Sequence, residues 1–524
     1  MNNQTNTVKK AVQGASLLVV TSFIAKILSA MYRVPYQNFV GDQGFFVYQQ
    51  IYPIYGIAMM LALNGFPLFI SKMVAETDKE EDVSLILQMI FFFLSALSVG
   101  MFLLVFFGAA TIARLMGQEL LAPLVQVSAF TFLFVPFLSI FRGGFQGKLE
   151  MAPTGISQMV EQFLRVGIIW LAAFLFAQHN LDIYQTGKLA MSGSLLGGVV
   201  AIGILLYYAK KTNTIPAFMG VGFLKKRHLS SKKILRRMLL EGGTLSIYSG
   251  FLVLLQLVDS FTVKDALMTY GLSELAAETQ KGIYDRAQPI VQLALVIAFS
   301  LTSGFLPILT KAFISRDKKQ FEKEVALYKK LSFLFAAAAT VGLIGILPWM
   351  NQTLFQNNQL QGTISVFLIG IFFMILIQTY QGIDQSQGRH KLSLIAAVVG
   401  FSIKLLTNYR LTAHFGTIGA SISTVLSLAV VLVIFVVFGK EFKLDVKFTL
   451  KVVLGLLAMT SVLVLFRQFL PPITHRPVTL LISILISVIG AGVFFFVLLK
   501  TNAFTDEELE EVPILNKFRT IIWK

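Results

Sequence analysis

Apolar runs of membrane-spanning length recur from one end of the chain to the other, separated by short polar or charged stretches. A helix needs about 20 mostly apolar residues to cross a bilayer. The pattern predicts fourteen such spans, at 12–34, 45–71, 84–108, 120–141, 153–178, 189–209, 238–258, 287–310, 331–350, 362–383, 392–409, 416–439, 449–466 and 477–499. The expected fold is therefore an all-α polytopic membrane protein. The polar stretch before the first run is short, and that run is too long for a signal-peptide core, so it reads as the first span. An even number of spans puts both termini on one side. Most of the 44 Lys and Arg fall in segments on that side. The positive-inside rule then predicts a multi-pass cell-membrane protein with both termini cytoplasmic.

The chain also repeats itself. Asn64–Lys72 (NGFPLFISK) aligns with Ser303–Lys311 (SGFLPILTK), Tyr48–Pro53 (YQQIYP) with Tyr284–Pro289 (YDRAQP), and Phe145–Lys148 (FQGK) with Ser386–Arg389 (SQGR), all at nearly one offset. A duplication of six helices explains this. Six is even, so the repeats are parallel, related by an axis along the membrane normal. The expected organisation is a six-helix lobe over 1–209, a basic interfacial linker over 210–237, a second lobe over 238–440, two extra C-terminal helices in 441–500, and a cytoplasmic tail over 501–524. Two similar bundles facing each other frame a cleft, and rocking them gives alternating access.

Composition narrows the function classes. The chain is 56% hydrophobic and only 14% charged, against about 25% charged in soluble domains. It has no cysteine, and its five histidines fall in predicted loops, so no metal site and no cofactor is expected. No Walker loop or HExxH motif occurs, and no polar segment is long enough for a nucleotide-binding domain. The net charge of +17 resides in cytoplasmic loops, which removes the case for nucleic acid as a partner. Nine Lys and Arg lie in 210–237, interleaved with Phe218, Phe223, Leu224 and Ile234. That mixture predicts a segment lying on the anionic lipids of the inner leaflet. The tail stretch FTDEELEEVPILNKFR reads as an amphipathic helix.

Charge inside a bilayer costs roughly 2.5–3.5 kcal/mol per residue on insertion scales, so cations within spans are functional candidates. Five occur: Lys26, Arg33, Arg165, Arg286 and Lys404. Lys26 and Arg33 are seven apart and project from nearly one face. Arg286 opens the eighth span, in the other repeat. If both helices line the cleft, Lys26, Arg33 and Arg286 form a cationic patch suited to a phosphate or diphosphate, since Arg offers paired donors. Asp285 is expected to orient Arg286 or limit its affinity. Gln49 and Gln50, beside Tyr48, can hydrogen-bond sugar hydroxyls. Glu161 and Arg165 are four apart on one helix, a spacing that lets them pair, and a structural or gating role is expected for them. Lys404 has no acid on its own helix, which leaves an acid from another helix or a substrate as its partner. Asp259 and Glu241 are expected at the two ends of the seventh span. Pro53 and Pro289 fall at matching places in the second and eighth spans, followed by Gly65 and Gly304, and these helices read as hinges.

The segments SFIAKILSAMYRVPY, IYDRAQPI, FRGGFQGKLEMAPTGISQMVEQFLRV and FGTIGASISTVLS, in a six-plus-six-plus-two plan, resemble the oligosaccharide-lipid flippases, and within them the lipid II flippase and stage V sporulation protein B group. These belong to the multidrug/oligosaccharidyl-lipid/polysaccharide exporter superfamily. The resemblance implies two six-helix lobes around a cationic cavity, a groove for a polyprenyl tail on the last two helices, and cavity cations at Lys26 and Arg286. Where Gram-negative members carry an arginine, this chain has Gln49 and Gln50. The expected function is a flippase, not an enzyme and with no catalytic residue. It would move a polyprenyl-diphosphate-linked saccharide, lipid II or a related precursor, from the inner to the outer leaflet as a monomer. The alternatives are a multidrug or cation exporter of the same superfamily, a membrane glycosyltransferase or polymerase, and a non-transporting scaffold.

Overall fold

The computed structural model of the chain describes residues 20–214, 231–439, 445–470, 475–505 and 508. The expected start of the first span, most of the basic linker with Phe218, Phe223 and Leu224, and nearly all of the tail lie outside the described residues. Among the described residues there is no strand. The helices used below are α1 (Arg33–Met59), α2 (Phe66–Ala75), α3 (Glu80–Phe107), α4 (Val135–Gly147), α5 (Met151–Ala177), α6 (Ile183–Lys211), α7 (Phe251–Thr269), α8 (Glu274–Asp285), α9 (Ala287–Ile314), α10 (Lys318–Phe355), α11 (Gln361–Ser386), α12 (Lys391–Phe415), α13 (Thr417–Phe438), α14 (Val446–Phe469) and α15 (Arg476–Lys500).

All fourteen expected spans are accounted for. Twelve helical stretches are long and apolar enough to cross a membrane, and the pair Ser231–Ser249 and Phe251–Thr269, bent by 68°, forms one more. One of the twelve, Val20–Ala75, holds 56 residues. At 1.5 Å per residue it is about 84 Å long, far more than one hydrocarbon core of ~30 Å. It contains the first two expected spans, and the chain breaks between them at Gly41, whose φ of 71° lies in the left-handed region. A side chain strains there and glycine does not.

Local chemistry sets several helix starts. Asp182 accepts hydrogen bonds from the backbone N–H groups of Tyr184 and Gln185, and Asp317 and Asp445 cap α10 and α14 in the same way. Glu80, Glu81 and Asp82 occupy the first turn of α3, where acidic side chains complement the helix dipole.

The chain divides into two compact units, 1–289 with 393–420, and 290–392 with 421–524. The first boundary falls at Pro289 inside α9 rather than in the linker 210–237. The reason lies within the first unit: α7 and α8, from the second sequence repeat, pack on α1, and Gly243–Ser249 packs on the Met60–Gly65 turn. Its hydrophobic core runs through Tyr36, Phe45, Tyr48, Ile51, Phe69, Ile90, Phe141 and Ile169. Helices α5 and α6 approach backbone to backbone. A Cβ on Gly193 would meet the carbonyl oxygen of Arg165 at 2.9 Å, and one on Gly197 that of Glu161 at 2.7 Å. Small residues spaced in this way let membrane helices touch closely, and here they fix the stretch that carries two candidate site residues.

In the second unit, α10 is the hub. It packs on α11, and the two extra helices α14 and α15 pack on it and on each other. Leu334, Ile346 and Trp349 of α10 share a core with Val452, Met459 and Leu463 of α14 and Ile486 and Phe494 of α15.

Candidate functional site

The sequence places five cations in spans, and all five lie in the first compact unit. Lys26, near the start of the described chain, is half-buried. Arg33 is fully buried. Its guanidinium lies over the ring of Tyr52 at 4.3 Å and that of Tyr32 at 5.8 Å. Its Nε donates to the Tyr32 hydroxyl at 3.5 Å, and its Nη1 and Nη2 have no hydrogen-bond partner.

Arg165 sits against the same tyrosines. Its Nη2 donates to the hydroxyls of Tyr32 at 2.9 Å and Tyr48 at 3.0 Å, and its Nη1 to Gln162 at 3.2 Å. The guanidinium lies over the Tyr55 ring at 4.3 Å, and Nε has no partner. Each such cation–ring contact is worth about 0.5–2 kcal/mol when desolvated. The expected Glu161–Arg165 pair does not form. Glu161 accepts instead from Nη2 of Arg142 at 2.7 Å. Arg142, on α4, approaches Glu161 across the helix interface and also donates to Ser157, while the phenols draw Arg165 away.

The opening of the eighth span also differs from expectation. Asp285 does not orient Arg286. It accepts from Lys281 at 2.6 Å, one turn back on α8. Arg286 donates through Nε to Asp42 at 2.9 Å, and Gln37 donates to the same carboxylate oxygen at 2.9 Å. Neighbouring residues on a helix point about 100° apart, whereas residues four apart share a face. Adjacent Asp and Arg therefore find different partners. Glu278 of the same helix accepts from Gln43, Gln118 and Lys264 at 2.9, 2.9 and 3.0 Å. The chain just after Gly41 is thus held to α8 by three side chains. Gly282 completes the contact, because a Cβ there would collide with the backbone carbonyl of Asp42. Gly282→Ala is expected to lose about 1–3 kcal/mol, the usual cost of overpacking. A lower melting temperature of the purified protein checks this, and an unchanged one contradicts it.

Lys404 is fully buried and has found an acid on another helix. Its Nζ lies 2.6 Å from Asp259 and also donates to Asn408 at 2.9 Å and to the carbonyl of Ala420 at 3.3 Å. Asp259 is not at an interface with water: it is 2% exposed and also accepts from Tyr284 at 2.9 Å and Asn408 at 3.0 Å. Gln50 donates to the backbone carbonyls of Met116 and Ser260, tying α1 to α7, and its Oε1, like that of Gln49, has no partner.

The four hinge candidates are not alike. Pro53 lies inside α1. Pro289 lies in the first turn of α9, where its missing N–H breaks no helical bond. Gly65 ends a π-turn pressed against Ser246, whose Cα would be 2.7 Å from an added Cβ, so it serves close packing. Gly304 has open space around it.

Sequence reasoning missed Tyr32, Tyr36, Tyr52 and Tyr55, and also Asp42, Arg142 and Lys281. Tyr48, Tyr52 and Tyr55 recur at helical spacing, which marks one aromatic face. Nothing local marks Asp42 as the partner of Arg286.

The comparisons with known proteins agree with this picture. Residues 11–313 match the family described as polysaccharide biosynthesis protein. Membrane protein YabM of Bacillus subtilis is 37% identical over 511 residues, covering 96% of this chain and 95% of that protein. Lipid II flippase MurJ of the same organism is 25% identical over 445 residues, covering 80% of each. A solved structure of a lipid II flippase MurJ in an inward closed conformation superposes with a TM-score of 0.66 at 16% identity, covering 92% of this chain and 99% of the other. The chain belongs to the polysaccharide biosynthesis protein family and is a MurJ-like member of the multidrug/oligosaccharidyl-lipid/polysaccharide exporter superfamily.

Proposed function

We propose that this membrane transporter flips a polyprenyl-diphosphate-linked saccharide, lipid II or a related cell-wall or polysaccharide precursor, from the inner to the outer leaflet by alternating access, with both termini in the cytoplasm. One observation carries the reading. Arg33 is wholly buried in a membrane-spanning stretch, and its terminal nitrogens have no partner. A buried charge left unpaired is costly, and an anionic headgroup passing through the protein supplies what those nitrogens lack. Lys26, one face-repeat earlier on the chain, adds a second cation for the same group. The similarity to the lipid II flippase supports the choice of a lipid-linked saccharide over a hydrophobic cation.

The test is a leaflet-accessibility assay in proteoliposomes carrying a polyprenyl-diphosphate-linked saccharide. The wild-type protein is expected to expose the headgroup, and Lys26→Ala and Arg33→Ala, present in equal amounts, to slow this at least about tenfold, the loss of one charge-assisted hydrogen bond. No exposure by the wild-type protein, or export of a hydrophobic cation instead, overturns the reading. Full rates in both variants reject the role of these cations.

A further inference from the structure

Arg165 was expected to neutralise Glu161, and the structure gives that task to Arg142. Arg165 is left inside the protein without a carboxylate partner, and so is Arg33, although both are fully buried. The two share their surroundings. The Tyr52 ring lies 4.3 Å from the Arg33 guanidinium and 5.6 Å from that of Arg165, and Tyr32 lies 5.8 and 5.1 Å from them. The two charges are therefore within about 10 Å of each other and repel by about 1.7 kcal/mol at an effective dielectric of 20. Two like charges, desolvated, close together and without acids, are a poor arrangement for stability alone. A structural cation pair would bring its own carboxylates, as Arg142 and Lys404 do.

The unused donors converge on the same tyrosines. Arg33 keeps Nη1 and Nη2, Arg165 keeps Nε, and the hydroxyls of Tyr36 and Tyr55 are also unpartnered. The hydroxyls of Tyr32 and Tyr48, 3.0 Å apart, hold Arg165 in place through Nη2. Guanidinium groups bind phosphoryl oxygens through paired N–H donors. Two of them on either side of an aromatic ring match an anion with two phosphoryl centres better than one with a single centre.

We propose that Arg165 is a binding residue, and that with Arg33 it forms a two-guanidinium clamp for a diphosphate group, framed by Tyr32, Tyr48, Tyr52 and Tyr55. This rests on the flippase reading and adds a selectivity to it: the diphosphate is recognised as such, and an otherwise identical monophosphate is held poorly. Both arginines are closed off by their neighbours, so the anion reaches them when the helices part, which alternating access provides.

The experiment uses the full chain in lipid nanodiscs, with farnesyl diphosphate, farnesyl monophosphate and inorganic pyrophosphate as probes of binding. Farnesyl diphosphate is expected to bind at least about tenfold tighter than the monophosphate. Pyrophosphate separates the sources of the anion: binding as tight as that of farnesyl diphosphate assigns the clamp to a soluble diphosphate and overturns the lipid reading. Arg165→Met is expected to abolish the preference, leaving the two farnesyl ligands within about twofold. Arg165→Lys keeps the charge without the fork and is expected to retain only part of it. If Arg165→Met does not fold, Tyr55→Phe, which removes one free hydroxyl, is expected to weaken diphosphate binding severalfold without touching the monophosphate. Equal affinity of the wild-type protein for both farnesyl ligands, or an undiminished preference in Arg165→Met, overturns the clamp. The wild-type leaflet assay keeps the two proposals apart, since translocation without a diphosphate preference rejects the clamp alone.

Discussion

Arg142→Met is expected to destabilise the protein by about 3–5 kcal/mol, the usual cost of removing one partner of a buried ion pair. Glu161 is 2% exposed and its carboxylate is held by Nη2 of Arg142 at 2.7 Å. Without that arginine, the carboxylate must either stay charged without a counter-ion or take up a proton, and both cost free energy. The damage extends beyond one contact. Arg142 also donates to Ser157 on the same helix as Glu161, and the Cβ-less Gly197 of α6 lies directly against the Glu161 backbone. Arg165 is one turn along, so a shift of α5 moves its hydrogen bonds to Tyr32 and Tyr48. The double variant Arg142→Met with Glu161→Leu leaves no charge behind and is expected to recover most of the loss. Unfolding titrations of the four proteins in detergent measure the coupling. A single variant as stable as the wild-type protein would mean that α4 and α5 are held without this pair.

The sequence carries the spans in full, because each is a run of apolar residues whose length the bilayer dictates. It also identifies which cations sit inside them, and Arg33, Arg165, Arg286 and Lys404 are all buried. What it does not carry is the pairing. Asp42 follows Gly41 in what reads as an ordinary polar loop, yet it meets Arg286, 244 residues away. Glu161 has a cation at the favoured spacing of four and takes a different one, because α4 presents Arg142 at the interface and tyrosines compete for Arg165. Helix periodicity fixes which residues share a face of one helix. It is silent on which face a second helix brings to meet them. The same limit explains the division into units. The repeat places a boundary in the linker 210–237, whereas α7 and α8 carry Lys264, Glu278 and Arg286, whose partners lie on the segments around α1 and Gly117.

Lys404→Met is expected to cost a further 3–5 kcal/mol or so, in a region independent of α4 and α5. The ammonium is surrounded by three oxygens, from Asp259, Asn408 and Ala420, and only the first is charged. Removing it leaves the Asp259 carboxylate with two neutral donors, Tyr284 and Asn408. Those donors soften the loss but do not replace a charge at 2.6 Å. Lys404→Met with Asp259→Asn removes both charges while Tyr284 and Asn408 keep an oxygen to donate to, and it is expected to be more stable than Lys404→Met alone. Salt separates this pair from the exposed ion pairs at the other end of α7. Lys404 and Asp259 are at most 3% exposed, so raising ionic strength leaves their coupling unchanged. The cluster of Lys72, Glu76, Arg237 and Glu241, with side chains 26–45% exposed, is weakened by the same salt and contributes little to begin with. A double-mutant cycle for Lys404 and Asp259 at two salt concentrations reads both effects. A coupling that collapses in high salt would place water at Lys404 and contradict its burial.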